Sequence, residues 1–127
     1  MIYGIGIDIV QVERFNDWIK KPGLLSRFFT DIETSYVLSQ GPRAVESLAV
    51  RFAAKEALGK SLGTGLRGFN LKEIEVRHRE GGSPYLCFHH KALERINQLG
   101  KFNFLLSLSH DTQVAVAIVI AEVEGGR

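Results

Sequence analysis

The 127-residue sequence has one cysteine, one tryptophan, three prolines and a formal net charge of only +2. A single cysteine cannot form an intrachain disulfide, and Cys87, in the alternating stretch PYLCFHH, is predicted to be a small core residue without a chemical role. The charge, from 16 lysines and arginines against 14 acidic residues, is too small to indicate a nucleic-acid partner by itself.

The sequence also lacks an apolar run of the ~18 residues that a membrane helix needs, and it lacks a basic-then-apolar start with a cleavage site. We therefore expect no membrane contact and a cytoplasmic location. A chain of this length, 45% hydrophobic, fits one domain over residues 1–127 with one core.

The first ten residues, MIYGIGIDIV, alternate between apolar and small or polar positions. Ile5, Ile7 and Ile9 fall on one face, whereas Gly4, Gly6 and Asp8 fall on the other, which is the pattern of a half-buried strand. Two glycines leave room for a close approach by a ligand or by another backbone, and a carboxylate projects beside them. The alternative is close helix packing, with Asp8 capping a neighbour.

Capping and turn signals predict the remaining elements. Thr30 and Glu33 form a capping box, Pro22-Gly23 is expected to end the first helix, and Gly63 to Gly65 is expected to cap the longest one. Gly81-Gly82 is expected to be the turn of a β-hairpin. Helices are expected at about 11–20, 30–40, 42–62 and 91–99, and further strands at about 71–79, 85–88, 102–110 and 113–124. The pattern indicates an α+β fold, with a mainly antiparallel sheet of about five strands packed with a long central helix and shorter helices.

Glu56 is the second suggestive acidic residue, in the helical segment VRFAAKEALGK. Its spacing from Lys60 fits an ordinary surface ion pair. However, the helix has little polar surface, so Glu56 is expected to be partly buried and to need a cation. If Asp8 converges on it, two hard oxygen ligands would suit magnesium better than zinc.

The charge is unevenly distributed, because the segment from residue 11 to residue 29 carries the formal positive excess. Such a patch is consistent with an acidic partner. The cations in it are Arg14, Lys20, Lys21 and Arg27, and the anions are Glu13 and Asp17.

Several stretches together resemble the holo-acyl-carrier-protein synthase family: GIGIDIVQVERF, RFFTDIE, RFAAKEALGKSLGTG, GGSPYL and LSLSHDTQVAVAIVIAE. The specific feature is the pairing of G-I-G-x-D with F-A-x-K-E-A about 48 positions later. The resemblance implies a magnesium-dependent transfer of 4′-phosphopantetheine from coenzyme A to a serine of apo acyl carrier protein, in the service of fatty acid biosynthesis. It also implies a homotrimer with active sites shared between protomers.

The resemblance further implies roles for individual residues. Asp8 and Glu56 would hold magnesium, and Lys60 would steady the charge on the departing adenosine 3′,5′-bisphosphate; Glu56 or a metal-bound water would take the serine proton. The coenzyme A contacts would be Arg43, Arg51, Lys60, Gly82, Ser83, Pro84 and His110, with Arg43 and His110 on the 3′-phosphate and 82–84 beside the adenine. The carrier contacts would be Arg14, Trp18 and Arg27.

Two other functions are alternatives to this one. The first is a non-catalytic trimeric module that binds coenzyme A or carrier protein, against which the presence of Asp8, Glu56 and Lys60 argues. The second is a small basic RNA-binding fold, which would need a clustered basic face with stacking aromatics.

Overall fold

Residues 1–124, which a computed structural model describes, form five β-strands and four α-helices. The strands are β1 (Ile2–Gln11), β2 (Ile74–His78), β3 (Pro84–Phe88), β4 (Phe102–His110) and β5 (Val114–Val123). The helices are α1 (Pro22–Phe28), α2 (Asp31–Leu38), α3 (Ala44–Leu62) and α4 (His90–Leu99). The α+β class and the five antiparallel strands are confirmed.

The strands divide into two sheets. One has the order β1-β5-β4, and the other is the hairpin of β2 and β3 around the glycine turn. In the larger sheet β5 is central. Its Ile118 pairs with Ile7 of β1 along one edge and with Ser107 of β4 along the other edge. The hairpin packs beside β4 without joining the β1-β5-β4 ladder.

Helix α3 lies on the inner face of the larger sheet, and glycine makes the contact close. A β-carbon on Gly4 would lie 2.0 Å from the Ser61 carbonyl oxygen, and one on Gly6 would lie 1.9 Å from that of Ala57. Both distances are far below van der Waals contact, so only glycine fits. The backbone of α3 therefore fills the space at the two glycines beside Asp8. This is the close helix packing that the sequence allowed as the alternative to a ligand.

The opposite face of the larger sheet is apolar and exposed in the single chain. Ile5, Ile7 and Ile9 are 61%, 56% and 64% exposed, and Leu105 and Ile118 are also exposed. The strand alternation is confirmed, but the face that packs within the chain is the glycine face rather than the isoleucine face.

The segment predicted as a helix over 11–20 is instead two 3₁₀ turns, Val12–Phe15 and Trp18–Lys20. Pro22 begins α1 rather than ending the preceding element, because the missing N–H and fixed φ of proline suit the first helical position. The capping box of Thr30 and Glu33 is confirmed, although α2 ends at Leu38. Gly63 caps α3 in the left-handed region, at φ +78°.

Within the described residues, no helix is both long enough and apolar enough to cross a bilayer.

Candidate active site

Helix α3 presents three charged side chains within six residues, and strand β1 adds a fourth. Lys60 donates to the Asp8 carboxylate at 2.9 Å and to the Ile7 carbonyl oxygen at 3.1 Å. Glu56, one turn earlier on α3, lies close enough to Asp8 for the two carboxylates to repel each other. The glycine contact of β1 with α3 thus brings Asp8, Glu56 and Lys60 together, a convergence that the sequence alone left open.

The electrostatic environment of Glu56 is that of a carboxylate without a partner. Partial burial, followed by repulsion from Asp8, raises its pKa, while Lys60 and Arg14 oppose the shift. Among residues 1–124 no hydrogen bond or ion pair reaches the Glu56 carboxylate. Two hard oxygen donors, one held by Lys60 and the other unpaired, fit a divalent cation such as magnesium.

Lys55, the residue before Glu56, is fully buried and has all three of its ammonium donors satisfied. They reach Glu33 Oε1 at 2.8 Å, the Leu71 carbonyl at 2.8 Å and the Phe28 carbonyl at 3.0 Å. Burial lowers the pKa of Lys55 and raises that of Glu33, because desolvation outweighs their attraction in each case. This pair ties α2 to α3 and supports the segment that carries Glu56.

A second group of predicted residues surrounds a cavity of about 260 Å³ elsewhere in the same chain. Arg43, Arg51, Gly82, Pro84 and His110 all line it. Asp8, Glu56 and Lys60 are not among its lining residues, and neither is Ser83. The structure therefore gathers most of the predicted coenzyme A residues in one place and the predicted metal residues in another.

Arg51 is the most buried cation of this cavity, at 2% exposure. Its guanidinium donates to the Ser47 carbonyl at 3.0 Å, to the Ser47 hydroxyl at 2.7 Å and to His78 Nε2 at 2.6 Å. Its Nε is buried and, among the described residues, has no acceptor. At the end of β4, His110 Nδ1 lies 2.9 Å from Glu46 Oε1. Hydrogen bonds within the chain thus hold both the Arg51 guanidinium and the His110 imidazole in place.

The predicted carrier contacts lie around the two 3₁₀ turns. The Trp18 ring packs against Phe15, Phe28 and Phe52 at 4.8–5.8 Å, so it is partly a core residue. Arg14 is exposed, with its guanidinium 4.9 Å from the centre of the Phe52 ring, and Arg27 is exposed beside Phe28. This segment forms two 3₁₀ turns rather than the helix predicted over 11–20, and the side chains of Arg14 and Trp18 meet over Phe15 and Phe52.

Tyr36 and His78 also line the cavity and were not singled out from the sequence. A single histidine near a strand end and a tyrosine inside a helix belong to no sequence motif that would indicate a ligand site. Only the packing of α2 against the β2-β3 hairpin brings them together.

Cys87 is partly buried rather than a core residue. It lies within 4.8 Å of ligand atoms on Glu75 and His89. The Glu75 carboxylate already accepts hydrogen bonds from Thr30 and Arg77 and contacts His89, which lowers its pKa despite burial. Both oxygens of the Glu75 carboxylate thus already have partners within the chain.

A family model described as the 4′-phosphopantetheinyl transferase superfamily matches residues 4–119. The holo-[acyl-carrier-protein] synthase of Treponema denticola is 49% identical over 96% of this chain and 99% of its own length, and that of Treponema pallidum is 45% identical over 98% of each. The crystal structure of the Neisseria meningitidis holo-[acyl-carrier-protein] synthase superposes with a TM-score of 0.84 at 36% identity, covering 96% of this chain and 99% of that one. The Bacillus anthracis synthase, solved in complex with CoA (3′,5′-ADP), has a TM-score of 0.80 at 35% identity, covering 98% and 99%.

Proposed function

The chain belongs to the 4′-phosphopantetheinyl transferase superfamily, and we propose that it transfers 4′-phosphopantetheine from coenzyme A to a serine of apo acyl carrier protein. In this reaction the serine oxygen forms a bond to the β-phosphorus, and the bond from that phosphorus to the oxygen bridging to the α-phosphate breaks. Adenosine 3′,5′-bisphosphate leaves. The observation that carries the proposal is the meeting of Asp8, Glu56 and Lys60 across the contact of β1 with α3.

Magnesium fits the two carboxylates, and Asp8 and Glu56 would hold it. When bound, magnesium neutralises pyrophosphate charge and favours attack at phosphorus. The raised pKa of Glu56 supports this role, because a carboxylate that repels its neighbour gains most from a cation.

The side chains of this chain supply the positioning and charge stabilisation that phosphoryl transfer requires. Lys60 holds Asp8 in place at 2.9 Å, and its one remaining N–H donor would steady the charge on the departing bisphosphate. Glu56, with a pKa shifted toward neutral pH, is one candidate for the base that takes the serine proton. A water molecule bound to the metal is the other candidate.

Coenzyme A would place its nucleotide end in the 260 Å³ cavity. Arg43 and His110 would meet the 3′-phosphate, Arg51 would be a further contact of the nucleotide, and the turn 82–84 would border the adenine. Lys60 would then contact the pyrophosphate. The cationic lining of the cavity supports an anionic occupant.

A homotrimer would join the two parts of the site. The exposed isoleucines of β1, together with Leu105 and Ile118, form an apolar surface that self-association would cover. Because the cavity residues and the carboxylates lie apart within one chain, neighbouring protomers would each contribute one part. Mixing Glu56→Ala with His110→Ala protein should then restore activity that neither variant has.

The cations Arg14 and Arg27, with Trp18 between them, would dock the acidic carrier protein. We place the reaction in fatty acid biosynthesis and in the cytoplasm, by analogy with the family. The alternative is a trimeric module that binds coenzyme A or carrier without transfer.

The deciding experiment incubates the protein with apo carrier, coenzyme A and magnesium and measures the mass of the carrier. We expect the mass gain of one phosphopantetheine arm. A carrier that stays unmodified, with coenzyme A still binding to the protein, would favour the non-catalytic module.

A further inference from the structure

His78, the last residue of β2, lies between buried Arg51 and the turn of the β2-β3 hairpin. Its Nε2 is 2.6 Å from an Arg51 guanidinium nitrogen, and its Nδ1 is 3.1 Å from the Gly82 carbonyl oxygen. Its ring also stacks on Tyr36, with centroids 4.5 Å apart and planes 11° from parallel. The imidazole therefore contacts three segments that line the cavity, namely α2, α3 and the hairpin turn.

The partners of His78 determine its protonation and the direction of both hydrogen bonds. A guanidinium only donates, so Nε2 has to accept and carries no hydrogen. A carbonyl oxygen only accepts, so Nδ1 has to donate. The ring is thus neutral, with its hydrogen on Nδ1. It accepts a hydrogen bond from Arg51 and donates one to the Gly82 carbonyl oxygen.

The turn that His78 holds has few other restraints. Gly82 has φ +97°, a conformation that glycine adopts readily, and its N–H donates to the Arg79 carbonyl at 2.8 Å. Arg79 N–H in turn donates to the Ser83 carbonyl at 2.8 Å. The contact with His78 satisfies the Gly82 carbonyl.

We propose that His78 is a positioning residue for the nucleotide end of coenzyme A, an inference that rests on the function proposed above. It orients the Arg51 guanidinium, whose free Nε and buried charge suit a phosphate, and it holds the turn that would border the adenine. Because it acts at the nucleotide end, it affects how tightly coenzyme A binds rather than the transfer step.

Three substitutions separate the contacts of His78. His78→Phe keeps an aromatic ring on Tyr36 and loses both hydrogen bonds. His78→Gln keeps an acceptor near the Nε2 position for Arg51, and His78→Asn keeps a donor near the Nδ1 position for Gly82. His90→Asn is the matched control, because His90 is exposed, lies outside the cavity and has φ +50°, which asparagine tolerates.

We expect His78→Phe to raise the KM for coenzyme A about tenfold or more, since a buried charged donor loses its acceptor. The kcat and the KM for carrier protein should stay near wild type. Glutamine should recover more of the affinity than asparagine, because the bond to the charged guanidinium is the stronger of the two. Calorimetric titration with coenzyme A should rank the affinities of the three His78 variants in the same order. The affinity of His90→Asn should match that of the wild-type protein.

The outcomes distinguish this inference from the proposed function. Wild-type transfer combined with an unchanged KM for coenzyme A in His78→Phe would overturn the role of His78 and leave the function intact. A wild-type protein that neither binds coenzyme A nor modifies the carrier would overturn both.

Long-range ¹H–¹⁵N spectra of the His78 imidazole in the wild-type protein at neutral pH provide a readout that does not depend on activity. We expect the Nδ1–H tautomer, and an Nε2–H tautomer or an imidazolium would overturn the link between Arg51 and Gly82.

Discussion

Lys55 and Glu56 are adjacent on α3, yet their surroundings are opposite. Lys55 is fully buried, forms an ion pair with Glu33 and donates to two backbone carbonyls. Glu56 is partly exposed, faces a second carboxylate and, within residues 1–124, accepts no hydrogen bond. The fold satisfies the charge of Lys55 fully, whereas among the described residues it gives the Glu56 carboxylate no hydrogen-bond donor.

The difference separates stability from function. A buried pair whose hydrogen-bonding groups are all used holds segments together and has no free position for chemistry. A carboxylate with a raised pKa beside a like charge costs some stability, which is a recurring property of functional sites. Substitutions at these two positions should therefore affect different measurements.

The largest expected effect is on turnover in Glu56→Gln. Replacing one of the two carboxylates proposed to hold magnesium by a neutral amide should lower kcat/KM by a factor on the order of 100 or more. The free energy of unfolding should stay the same or rise slightly in metal-free buffer, because the repulsion from Asp8 disappears. Steady-state kinetics with saturating magnesium and urea unfolding of the same preparations provide the test, and near-wild-type turnover would contradict the assignment of Glu56.

The next effect is on stability in Lys55→Met. Removal of the cation leaves the Glu33 carboxylate buried and unpaired, which costs about 3–5 kcal/mol when one partner of a buried pair is lost. The double variant Glu33→Gln/Lys55→Met is the matched control and should recover part of that loss. Urea unfolding measures both, and a single variant as stable as wild type would show that the pair does not hold α2 against α3.

A smaller effect is expected in the pH dependence of stability. The folded pKa of Glu56 lies above its ordinary value of 4.5, so between these two values the folded state binds more protons than the unfolded state. Stability due to this group is therefore lost as the pH rises through that window. From pH 4 to pH 7, the free energy of unfolding of the metal-free wild-type protein should fall relative to that of Glu56→Gln. Magnesium should reduce this pH-dependent difference between the two proteins. A constant difference across this range would contradict the raised pKa.

The smallest effect is expected at the proposed carrier-docking surface, on the KM for carrier protein in Arg27→Gln. Arg27 is exposed, and a single exposed charge contributes little, so the KM for carrier should rise only about two- to fivefold. The rise should shrink at high salt because screening weakens such contacts. The KM for coenzyme A should not change, and an equal rise in both constants would contradict docking at this surface. Arg14 is less suitable for the test, because it also acts on the pKa of Glu56.

Much of the fold was predictable where the signal lies within one turn of chain. The capping box of Thr30 and Glu33, the glycine cap of α3 and the glycine turn of the hairpin depend on local geometry, and each was located correctly. The helix predicted over 11–20 was wrong because burial of Val12 and Phe15 against α3 favours two short turns over a continuous helix.

The sequence by itself determined the family, the α+β class, and the two carboxylates on separate elements, because motifs, turn residues and alternation are properties of the chain. Only the tertiary structure decided that Glu56 lacks a partner within residues 1–124 while Lys55 has three, that the glycine face of β1 packs inward, and that His78 links Arg51 to the hairpin turn. These features depend on contacts between residues that are distant in the chain, and local propensity carries no information about which distant groups will satisfy a charge.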